Sequence, residues 1–433
     1  MIDIRILREN PEKVRDNLFK RNMADFPLEE LLSLDRKRRE LLTGNQKLKA
    51  ERNRISIEIS QKKRAQEDTS SLINLMKQTS DEIAKNDKTC EKVESDYLSL
   101  AARLPNFIDP EVPVGKDESA NREIRRWGEP ISRSINPDHI DISAIFDLVD
   151  IERAAKTSGA RFYFLRKDLA RLNYALISFA LDFLKRKGFT LIQPPYMLSR
   201  NAISGSIILS DFEDVIYKIE SEDLYLIGTS EHAIAAMRMG EIFSQGELPM
   251  RYAGVSPCFR KEAGAHGRDT KGIFRVHQFE KVEQFVFCEP EHSEEEHRGL
   301  LANSSEFIQK LHIPYRVVLL SSGDMGKVPS KTFDIEGWFP SQQKYRELVS
   351  CSNCTDFQAR SLSIKYRRKA HEESIFVHTL NSTLVATERT LAALLEHYYD
   401  SVQNIIKIPD ELVSYMNGQK EIETMIPKPK TRE

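Results

Sequence analysis

The chain has 433 residues, of which 40% are hydrophobic and 30% are charged. This composition excludes a disordered chain, and the length indicates more than one domain. The 64 Lys and Arg residues nearly balance the 66 Asp and Glu residues, which gives a formal net charge of -2. No overall attraction to nucleic acid or to membranes follows from such a balance, so any basic surface must be local.

The apolar runs, the amino-terminus and the cysteines indicate a cytoplasmic protein with no membrane partner. The apolar runs are broken well short of the ~20 residues that cross a bilayer. The first 20 residues carry charges throughout, unlike a secretory signal. Five cysteines are an odd number in a long chain, which fits reduced thiols better than a disulfide framework.

A long helical segment is predicted near the amino-terminus, because the stretch 29–104 contains no proline and a single glycine. Apolar residues recur there every seven positions, at Leu34, Leu41, Leu48 and Ile55 and again at Met76, Ile83, Cys90, Tyr97 and Leu104. The polar stretch 61–71 separates the two series, which predicts two long helices folded back on each other. Arg38, Asn45 and Arg52 occupy the second seam position, so we expect a solvent-exposed arm with one apolar ridge.

The first helix of this arm is strongly basic. Residues 35–64 contain 11 Lys and Arg against 4 Asp and Glu, a local charge of 11 minus 4, or +7. Such a segment favours contacts with RNA phosphates, and a solvated coiled-coil face is the alternative interpretation.

Beyond residue 105 prolines and glycines punctuate the chain, and helical and strand patterns are mixed. Periodicity predicts helices over 169–188 and 390–404. Segments rich in β-branched and aromatic residues predict strands within 224–229, 250–256, 277–288, 315–320 and 373–381. Strands gathered between flanking helices predict an α+β domain with an antiparallel sheet.

The expected domain organisation of the chain is an N-terminal domain with the arm over 1–105, a linker and start of the body over 106–160, the main domain over 161–425 and a flexible tail over 426–433.

The densest charged segment lies between residues 258 and 285. Its cations are Arg260, Lys261, Arg268, Lys271, Arg275 and Lys281, and three glycines interrupt it. Guanidinium groups suit polyphosphates because they donate paired hydrogen bonds and stay charged. The segment therefore predicts a loop that closes over a nucleotide, with an ordinary charged hairpin as the alternative. No P-loop motif and no Gly-x-Gly-x-x-Gly motif opening a helix occurs.

Three further patterns favour structural interpretations. The pair Cys351 and Cys354 lacks a second Cys pair and a His partner nearby, so two thiols in a strand or turn are favoured over a zinc site. His292 and His297 lie five residues apart, which does not place them on one helical face. His232 beside Glu231 is a candidate base, although a lone histidine is more often packed or hydrogen-bonded.

Several segments resemble one enzyme family in the order that the family has them. Residues 259–285 (FRKEAGAHGRDTKGIFRVHQFEKVEQF), 380–398 (LNSTLVATERTLAALLEHY) and 166–197 (RKDLARLNYALISFALDFLKRKGFTLIQPPYM) resemble motifs 2, 3 and 1 of class II aminoacyl-tRNA synthetases. The details of motif 2, together with 228–237 (GTSEHAIAAM) and 345–360 (YRELVSCSNCTDFQAR), are typical of the seryl-tRNA synthetase family. The helical hairpin resembles that family's tRNA-binding arm.

Some positions depart from the pattern common in bacterial members. Motif 3 reads Asn381-Ser382-Thr383-Leu384 where Gly-Ser-Gly usually follows the asparagine, a form closer to archaeal and eukaryotic members. Glu388 just before Arg389 is unusual, and Leu348-Val349 replaces Ile-Ser beside Ser350.

The resemblance implies a class II catalytic domain, over 161–425, that activates L-serine with ATP and Mg²⁺. It also implies that serine is then transferred to the 3′ end of tRNA(Ser), with tRNA(Sec) as a further candidate. A homodimer is implied as well, because motif 1 forms the subunit interface in this family. The apolar stripe of the motif 1 helix here is Leu172, Ala175, Leu176, Phe179 and Phe183.

Residue roles follow from the same resemblance. Arg260 and Arg389 are the expected catalytic cations. The expected ATP-binding residues are Arg260, Lys261, Glu262, Arg275, Val276, Phe279, Glu347, Leu348, Val349, Ser350 and Arg389, with Glu347 and Ser350 also as ligands of Mg²⁺. The expected serine-binding residues are Thr229, Ser230, Glu231, Glu283, Asn381 and Thr383. The expected tRNA-binding residues of the arm are Arg52, Arg54, Lys62 and Lys63.

Two alternative interpretations come from other functional classes. A synthetase-like ligase that loads a carrier protein would lack the long basic arm. A non-catalytic RNA-binding paralogue would be expected to lose charged groups of the site, yet Arg260, Glu262, Glu283, Glu347 and Arg389 are all present.

Overall fold

The computed structural model describes residues 1–131, 137–212, 214–244, 246–262, 272–369 and 371–424. The chain forms two compact units, one of residues 1, 3–19 and 23–105 and the other of residues 2, 20–22 and 106–433. The expected tail 426–433 lies outside the described residues, as do Arg268 and Lys271.

The helices of the first unit are α1 (Ile4–Glu9), α2 (Pro11–Lys20), α3 (Leu28–Arg64) and α4 (Ser70–Ala101). Those of the second unit are α5 (His139–Phe146), α6 (Ile151–Ser158), α7 (Lys167–Arg186), α8 (Arg200–Ser206), α9 (Leu209–Phe212), α10 (Ser230–Ala236), α11 (Ser293–Lys310), α12 (Phe357–Leu362), α13 (Thr387–Tyr398) and α14 (Asp410–Val413). Short 3-10 helices cover Glu118–Ala120, Pro290–His292 and Ser414–Met416.

The strands all belong to the second unit. They are β1 (Arg122–Trp127), β2 (Val149–Asp150), β3 (Phe164–Leu165), β4 (Thr190–Ile192), β5 (Met197–Ser199), β6 (Leu224–Leu226), β7 (Ile242–Phe243), β8 (Met250–Phe259), β9 (Gln278–Cys288), β10 (Tyr315–Leu319), β11 (Lys331–Phe339), β12 (Lys344–Thr355), β13 (Lys365–Tyr366), β14 (Ile375–Phe376), β15 (His378–Ala386), β16 (Tyr399–Asp400), β17 (Ile405–Lys407) and β18 (Glu421–Glu423).

The predicted helical arm is confirmed: α3 and α4 pack against each other as an antiparallel coiled coil. Ile55 and Ile83 are buried on the apolar ridge. The second seam position is polar, as expected. Asn45 Nδ2 donates a 2.7 Å hydrogen bond to Asp87 Oδ1, and Arg38 forms an ion pair with Glu94. These polar contacts set the register of the two helices at a cost in stability relative to apolar residues.

The second unit is built on a sheet of eight strands in the order β1-β10-β11-β12-β15-β9-β8-β4. Neighbouring strands are antiparallel except β4, which runs parallel to β8. The predicted α+β fold on an antiparallel sheet is therefore confirmed. The sequence patterns missed β11 and β12, and the last long helix ends at Tyr398 rather than at 404 because β16 begins at Tyr399.

The motif 1 helix α7 packs its apolar stripe against the core of its own chain. Leu172, Ala175, Leu176, Phe179 and Phe183 are each at most 3% exposed, and the ring of Phe179 stacks on that of Phe307 with 5.1 Å between centroids. The expectation that this stripe lies in a subunit interface is therefore wrong, because the stripe is already covered within the chain. On the same helix, Tyr174 is 65% exposed.

Among the helices of the described segments, none is both long enough and apolar enough to span a membrane.

Candidate active site

One face of the large sheet forms the floor of a cleft of about 1280 Å³. The alternation of side chains along the strands explains why. On β11, Thr332, Asp334 and Glu336 line the cleft, whereas Ile335 between them packs into the hydrophobic core on the opposite face. On β9, Lys281 lines the cleft in the same way. The sheet thus separates an apolar core from a charged surface that it holds in place.

A β-bulge in β12 brings two of the predicted ligands onto the same face. Ser350 pairs with Asp334 and Glu347 pairs with Glu336, so one residue of β12, Leu348, has no partner between them. Residues three apart on a regular strand face opposite sides, and the extra residue of a bulge reverses that relation. Glu347 and Ser350 therefore both line the cleft.

Three predicted arginines line the cleft, each with a defined partner. Arg260 Nε donates a 3.2 Å hydrogen bond to the carbonyl oxygen of Gly228. Arg275 Nη1 lies 2.8 Å from Glu262 Oε2. Arg389 Nη1 lies 3.1 Å from Glu347 Oε1 and 3.2 Å from the Glu347 carbonyl oxygen.

Aromatic rings lie beside these cations. The guanidinium carbon of Arg260 is 5.3 Å from the centroid of Phe279, and that of Arg389 is 5.2 Å from the centroid of Phe274. Both distances are within the range of cation–π contacts. A flat aromatic ligand such as adenine could stack in this part of the cleft.

A second group of predicted residues surrounds a small polar region. Glu283 and Thr383 lie opposite each other on β9 and β15, and Thr383 Oγ1 is 3.3 Å from Glu283 Oε2. The buried Lys281 forms an ion pair with Glu283. Thr229 is the N-cap of α10, and its Oγ1 accepts a hydrogen bond from the backbone N–H of Glu231 at 3.2 Å.

The carboxyl of Glu231 completes this region. Its Oε1 accepts a 2.9 Å hydrogen bond from Gln358 Nε2, and Gln358 is itself fully buried. Burial, reinforced by the nearby charge of Glu283, raises the pKa of Glu231 to about 7. Asn381 also lines the cleft and donates from Nδ2 to the Cys354 thiol at 3.6 Å.

Four predicted site residues do not line the cleft. Ser230 is fully buried against Gly254, where an added Cβ would lie 2.6 Å from the Ser230 hydroxyl. Val276 packs with Cys258, Phe279 and Ala386, and Val349 packs in the main core. Lys261 approaches Tyr217, with 5.7 Å between its ammonium and the ring centroid. The side chain of Leu348 packs over Gly337, although Leu348 borders the cleft.

His232 is in the cleft wall, but its environment does not suit a base. Its Nδ1 accepts from the backbone N–H of Gly228 at 3.4 Å, and burial lowers its pKa to about 3. The histidine is thus a neutral packed group at physiological pH.

The cysteine pair lies in β12, with both thiols buried. Cys351 and Cys354 are thus two thiols in a strand, as predicted. In the part of the chain that the structure describes, no three His, Cys, Asp or Glu side chains form a metal-binding cluster.

Sequence reasoning overlooked Asp334 and Glu336 as site residues. Both lie in β11, opposite Ser350 and Glu347. Asp334 Oδ1 is buried and has no hydrogen-bond partner within the described structure. Burial and then repulsion by Glu347 raise the pKa of Asp334 well above its usual value. The signal available in the sequence was the alternation of polar residues in Thr332-x-Asp334-x-Glu336.

The four basic residues expected to contact tRNA all lie in the carboxyl-terminal half of α3. Arg54 is paired with Glu51 at 2.6 Å, and Lys62 lies 3.9 Å from Glu58. Arg52 is half-buried and Lys63 is exposed. Carboxylates of the same helix thus compensate part of the positive charge of these four residues.

Comparisons with known proteins agree with this arrangement. The family model described as the class II core domain of tRNA synthetases (G, H, P, S and T) matches residues 216–398. The model described as the seryl-tRNA synthetase N-terminal domain matches residues 1–108. The Serine--tRNA ligase of Nitrosopumilus maritimus is 56% identical over 424 residues, which cover 98% of this chain and 100% of that protein.

Two solved structures are similar over almost the whole chain. The crystal structure of seryl-tRNA synthetase from Pyrococcus horikoshii complexed with ATP is 44% identical, with a TM-score of 0.91 and coverage of 98% of this chain and 100% of that one. The cytoplasmic serine-tRNA ligase of Naegleria fowleri in complex with AMP is 34% identical, with a TM-score of 0.86 and coverage of 98% and 99%. On this similarity, which extends through both compact units, the chain belongs to the seryl-tRNA synthetase family.

Proposed function

We propose that this chain activates L-serine with ATP in the cleft and then transfers serine to the 3′ end of tRNA(Ser). The observation that carries the proposal is that Arg260, Arg275 and Arg389 line the same cleft as Glu283 and Thr383. The cleft thus combines cations suited to phosphates with a small polar region suited to an amino acid. The ATP of the Pyrococcus horikoshii structure and the AMP of the Naegleria fowleri structure support a nucleotide as ligand.

In the first step an oxygen of the serine carboxylate attacks the α-phosphorus of ATP, and pyrophosphate leaves. The two reactants are anions, so fixed cations must offset their repulsion and the charge that develops. Arg260 is assigned to the α-phosphate and the serine carboxylate, and Arg275 and Arg389 to the phosphate chain. Positioning of the two reactants supplies the remaining acceleration, and no covalent intermediate with the protein is needed.

The adenine is assigned to the part of the cleft between Phe279 and Arg389. Phe279 would stack on the ring, and Glu262 would accept a hydrogen bond from the exocyclic amino group. The pairing of Glu262 with Arg275 holds both side chains in place.

Mg²⁺ is proposed to enter with ATP, and the residues present fit it. Glu347 and Ser350 offer hard oxygen ligands on one face of β12, and the unpartnered Oδ1 of Asp334 lies beside them on β11. When bound, the ion supplies neutralisation of the phosphate charges. Arg389, which holds Glu347 in this structure, keeps the pKa of that carboxyl below its usual value and so keeps it ionised.

Serine is assigned to the region of Thr229, Glu231, Glu283 and Thr383. Glu283 can accept from the serine hydroxyl or ammonium because Lys281 and Thr383 hold its carboxylate in a fixed place. A substrate without the hydroxyl would leave these buried polar groups unpaired, which is the physical basis for rejecting it.

In the second step the terminal ribose hydroxyl of the tRNA attacks the carbonyl carbon of the seryl adenylate, and AMP leaves. The basic arm supports tRNA(Ser) as the acceptor, with tRNA(Sec) as a further candidate. It argues against a carrier protein, and the gathering of the charged groups in one cleft argues against a non-catalytic paralogue. The five free cysteines fit the reducing cytoplasm as the place of action.

A homodimer is also proposed, through a surface other than the one first expected. Tyr174 on α7, Phe164 on β3 and Leu191 on β4 are large apolar side chains that are 65%, 47% and 41% exposed. All three belong to or adjoin the motif 1 region. A contiguous apolar patch is typical of a surface that binds a partner, and the proposal is that these three side chains contribute to such a patch.

We expect Tyr174→Asp to shift the protein from dimer to monomer in sedimentation at micromolar concentration, because a charge would be buried in the interface. Phe179→Ala on the same helix is the control. It should instead lower the free energy of unfolding by about 3–5 kcal/mol, since Phe179 is in the core. A wild-type protein that sediments as an active monomer would contradict the dimer.

Arg260→Ala and Arg389→Ala should each reduce serine-dependent ATP–pyrophosphate exchange on the order of 100-fold, because each removes a fixed cation that contributes about 3 kcal/mol in the transition state. The matched control is Arg153→Ala, whose side chain is 73% exposed and pairs with Asp150 outside the cleft. Exchange within threefold of wild type in either cleft variant would refute the assigned role.

Replacing Arg52, Arg54, Lys62 and Lys63 with alanine should raise the KM for tRNA at least about tenfold and lower the slope of its salt dependence by about 3. Exchange without tRNA should not change. A charge-matched control replaces four lysines of α4, Lys77, Lys85, Lys88 and Lys92, which are exposed. Circular dichroism should show intact helices, because alanine favours them. An equal effect of both quadruple variants would mean that overall charge, and not this position on α3, determines tRNA binding.

A further inference from the structure

Glu388 is a buried carboxylate of the cleft to which none of the roles above applies. It is 3% exposed, it lines the cleft at the start of α13, and it directly precedes Arg389. Its Oε2 is buried and has no hydrogen-bond partner in the described part of the chain. An unpartnered carboxyl oxygen in such a place costs free energy, so its presence calls for a function.

The charged group beside the Glu388 carboxylate is the guanidinium of Arg389, its neighbour in the sequence. Glu388 Oε1 lies 3.8 Å from Arg389 Nε, while Glu347 Oε1 lies 3.1 Å from Nη1 of the same guanidinium. Arg389 is thus held between two carboxylates, one on α13 and one on β12. Of the two, only Glu347 is on the strand that carries the predicted ligands of ATP and Mg²⁺.

The other titratable groups around Glu388 come from three further segments. Arg260 after β8 and Lys281 on β9 contribute positive charge that favours the ionised carboxylate. Cys258 on β8 and Tyr163 before β3 lie near enough for Glu388 to raise their pKa values. Burial raises the pKa of Glu388 itself to about 7, and Arg389 opposes that rise.

A purely structural explanation is that Glu388 stabilises the amino-terminal end of α13. Acidic residues in the first turn of a helix are favourable, but an exposed side chain serves that purpose without the cost of burial. The position inside the cleft is therefore not explained by the helix.

We propose that Glu388 is a positioning residue that holds the Arg389 guanidinium in its ATP-binding orientation. The inference rests on the proposed function. With ATP bound, Arg389 is attracted to the phosphates, and Glu347 is assigned to the Mg²⁺ that enters with them. Glu388 is then the anion that still holds the Nε edge of the Arg389 guanidinium. Orientation of this kind contributes to ATP binding and leaves serine binding unaffected.

The test is a double-mutant cycle with Glu388→Gln and Arg389→Ala, measured as kcat/KM for ATP in serine-dependent exchange. Contacting residues couple by amounts that correspond to a few-fold up to a hundredfold, so we expect a loss of about tenfold for Glu388→Gln alone. The loss should lie mainly in KM for ATP, with KM for serine unchanged. In the Arg389→Ala background the same substitution should change kcat/KM less than twofold.

The pH dependence gives a readout that a structural role would not move. As the pH falls from 8 to 6 the carboxyl of Glu388 becomes protonated and loses the charge that holds Arg389. The ratio of KM for ATP between Glu388→Gln and wild type should therefore fall towards 1, and the titration of ATP itself cancels in this ratio.

The melting temperature of Glu388→Gln at pH 8 should equal or exceed that of wild type, because the variant no longer buries an ionised carboxylate.

Glu396→Gln is the matched control, since Glu396 is equally buried on α13 but lies away from the cleft. Its carboxylate accepts from the backbone N–H groups of His139 at 3.3 Å and Ser341 at 3.1 Å. This variant should lower the melting temperature without changing KM for ATP.

Three outcomes are distinguished. An unchanged KM for ATP in Glu388→Gln with an active wild type would overturn the inference alone, as would independent effects of the two substitutions in the cycle. A wild-type protein without serine-dependent exchange would instead overturn the proposed function.

Discussion

The structure depends on one constraint: one face of the large sheet must pack against the hydrophobic core while the other face presents charged side chains to the cleft. Side chains alternate along each strand, so a strand that contributes Ile335 to the core must present Asp334 and Glu336 on the other side. The backbone hydrogen bonds of eight paired strands hold the charged face rigid. A catalytic surface that relies on fixed charges requires this rigidity, because mobile charges would have to be reoriented during the reaction.

Two of the irregularities of the sheet lie beside residues that are assigned to substrates. The unpaired Leu348 in β12 places Glu347 and Ser350 on the same face. A second register shift, between Thr383 and Val385 of β15, lies beside the pair formed by Glu283 and Thr383. Both bulges adjoin residues assigned to substrates, as bulges near active sites commonly do.

The charges of the cleft also make it suited to charged ligands. Carboxylates that are close together and shielded from water have raised pKa values, as in Glu231 and Asp334. Lys281 and Arg260 beside Glu231 offset the effect of burial only in part. An ammonium group, a divalent cation and phosphate groups offer the charges that would complete the balance, which is why ATP and an amino acid suit this surface.

Much of the architecture could be predicted from the sequence, because the relevant patterns are local. The seven-residue repeats predicted α3 and α4, and the charged segment around Arg260 and Arg275 indicated a phosphate site. The family resemblance identified the activity, but it transferred whole motifs. It therefore included Ser230, which packs against Gly254 in the first turn of α10, and Val349, which alternation along β12 turns into the core. It also placed the stripe of α7 in a subunit interface, whereas that stripe is in the core. Asp334 and Glu336 were missed although Phe333 and Ile335 alternate with them as in a half-buried strand, because the polar face of such a strand is as typical of a solvated surface as of a cleft.

The central claim is that the cleft selects serine and couples it to ATP. The most direct measurement is ATP–pyrophosphate exchange by the purified wild-type chain with serine, alanine and threonine as alternative substrates. We predict exchange with serine, and kcat/KM values for alanine and threonine lower by on the order of 100-fold, since alanine leaves the polar groups around Glu283 unpaired and threonine adds a methyl group. Exchange with alanine as fast as with serine, or no exchange with serine, would contradict the claim.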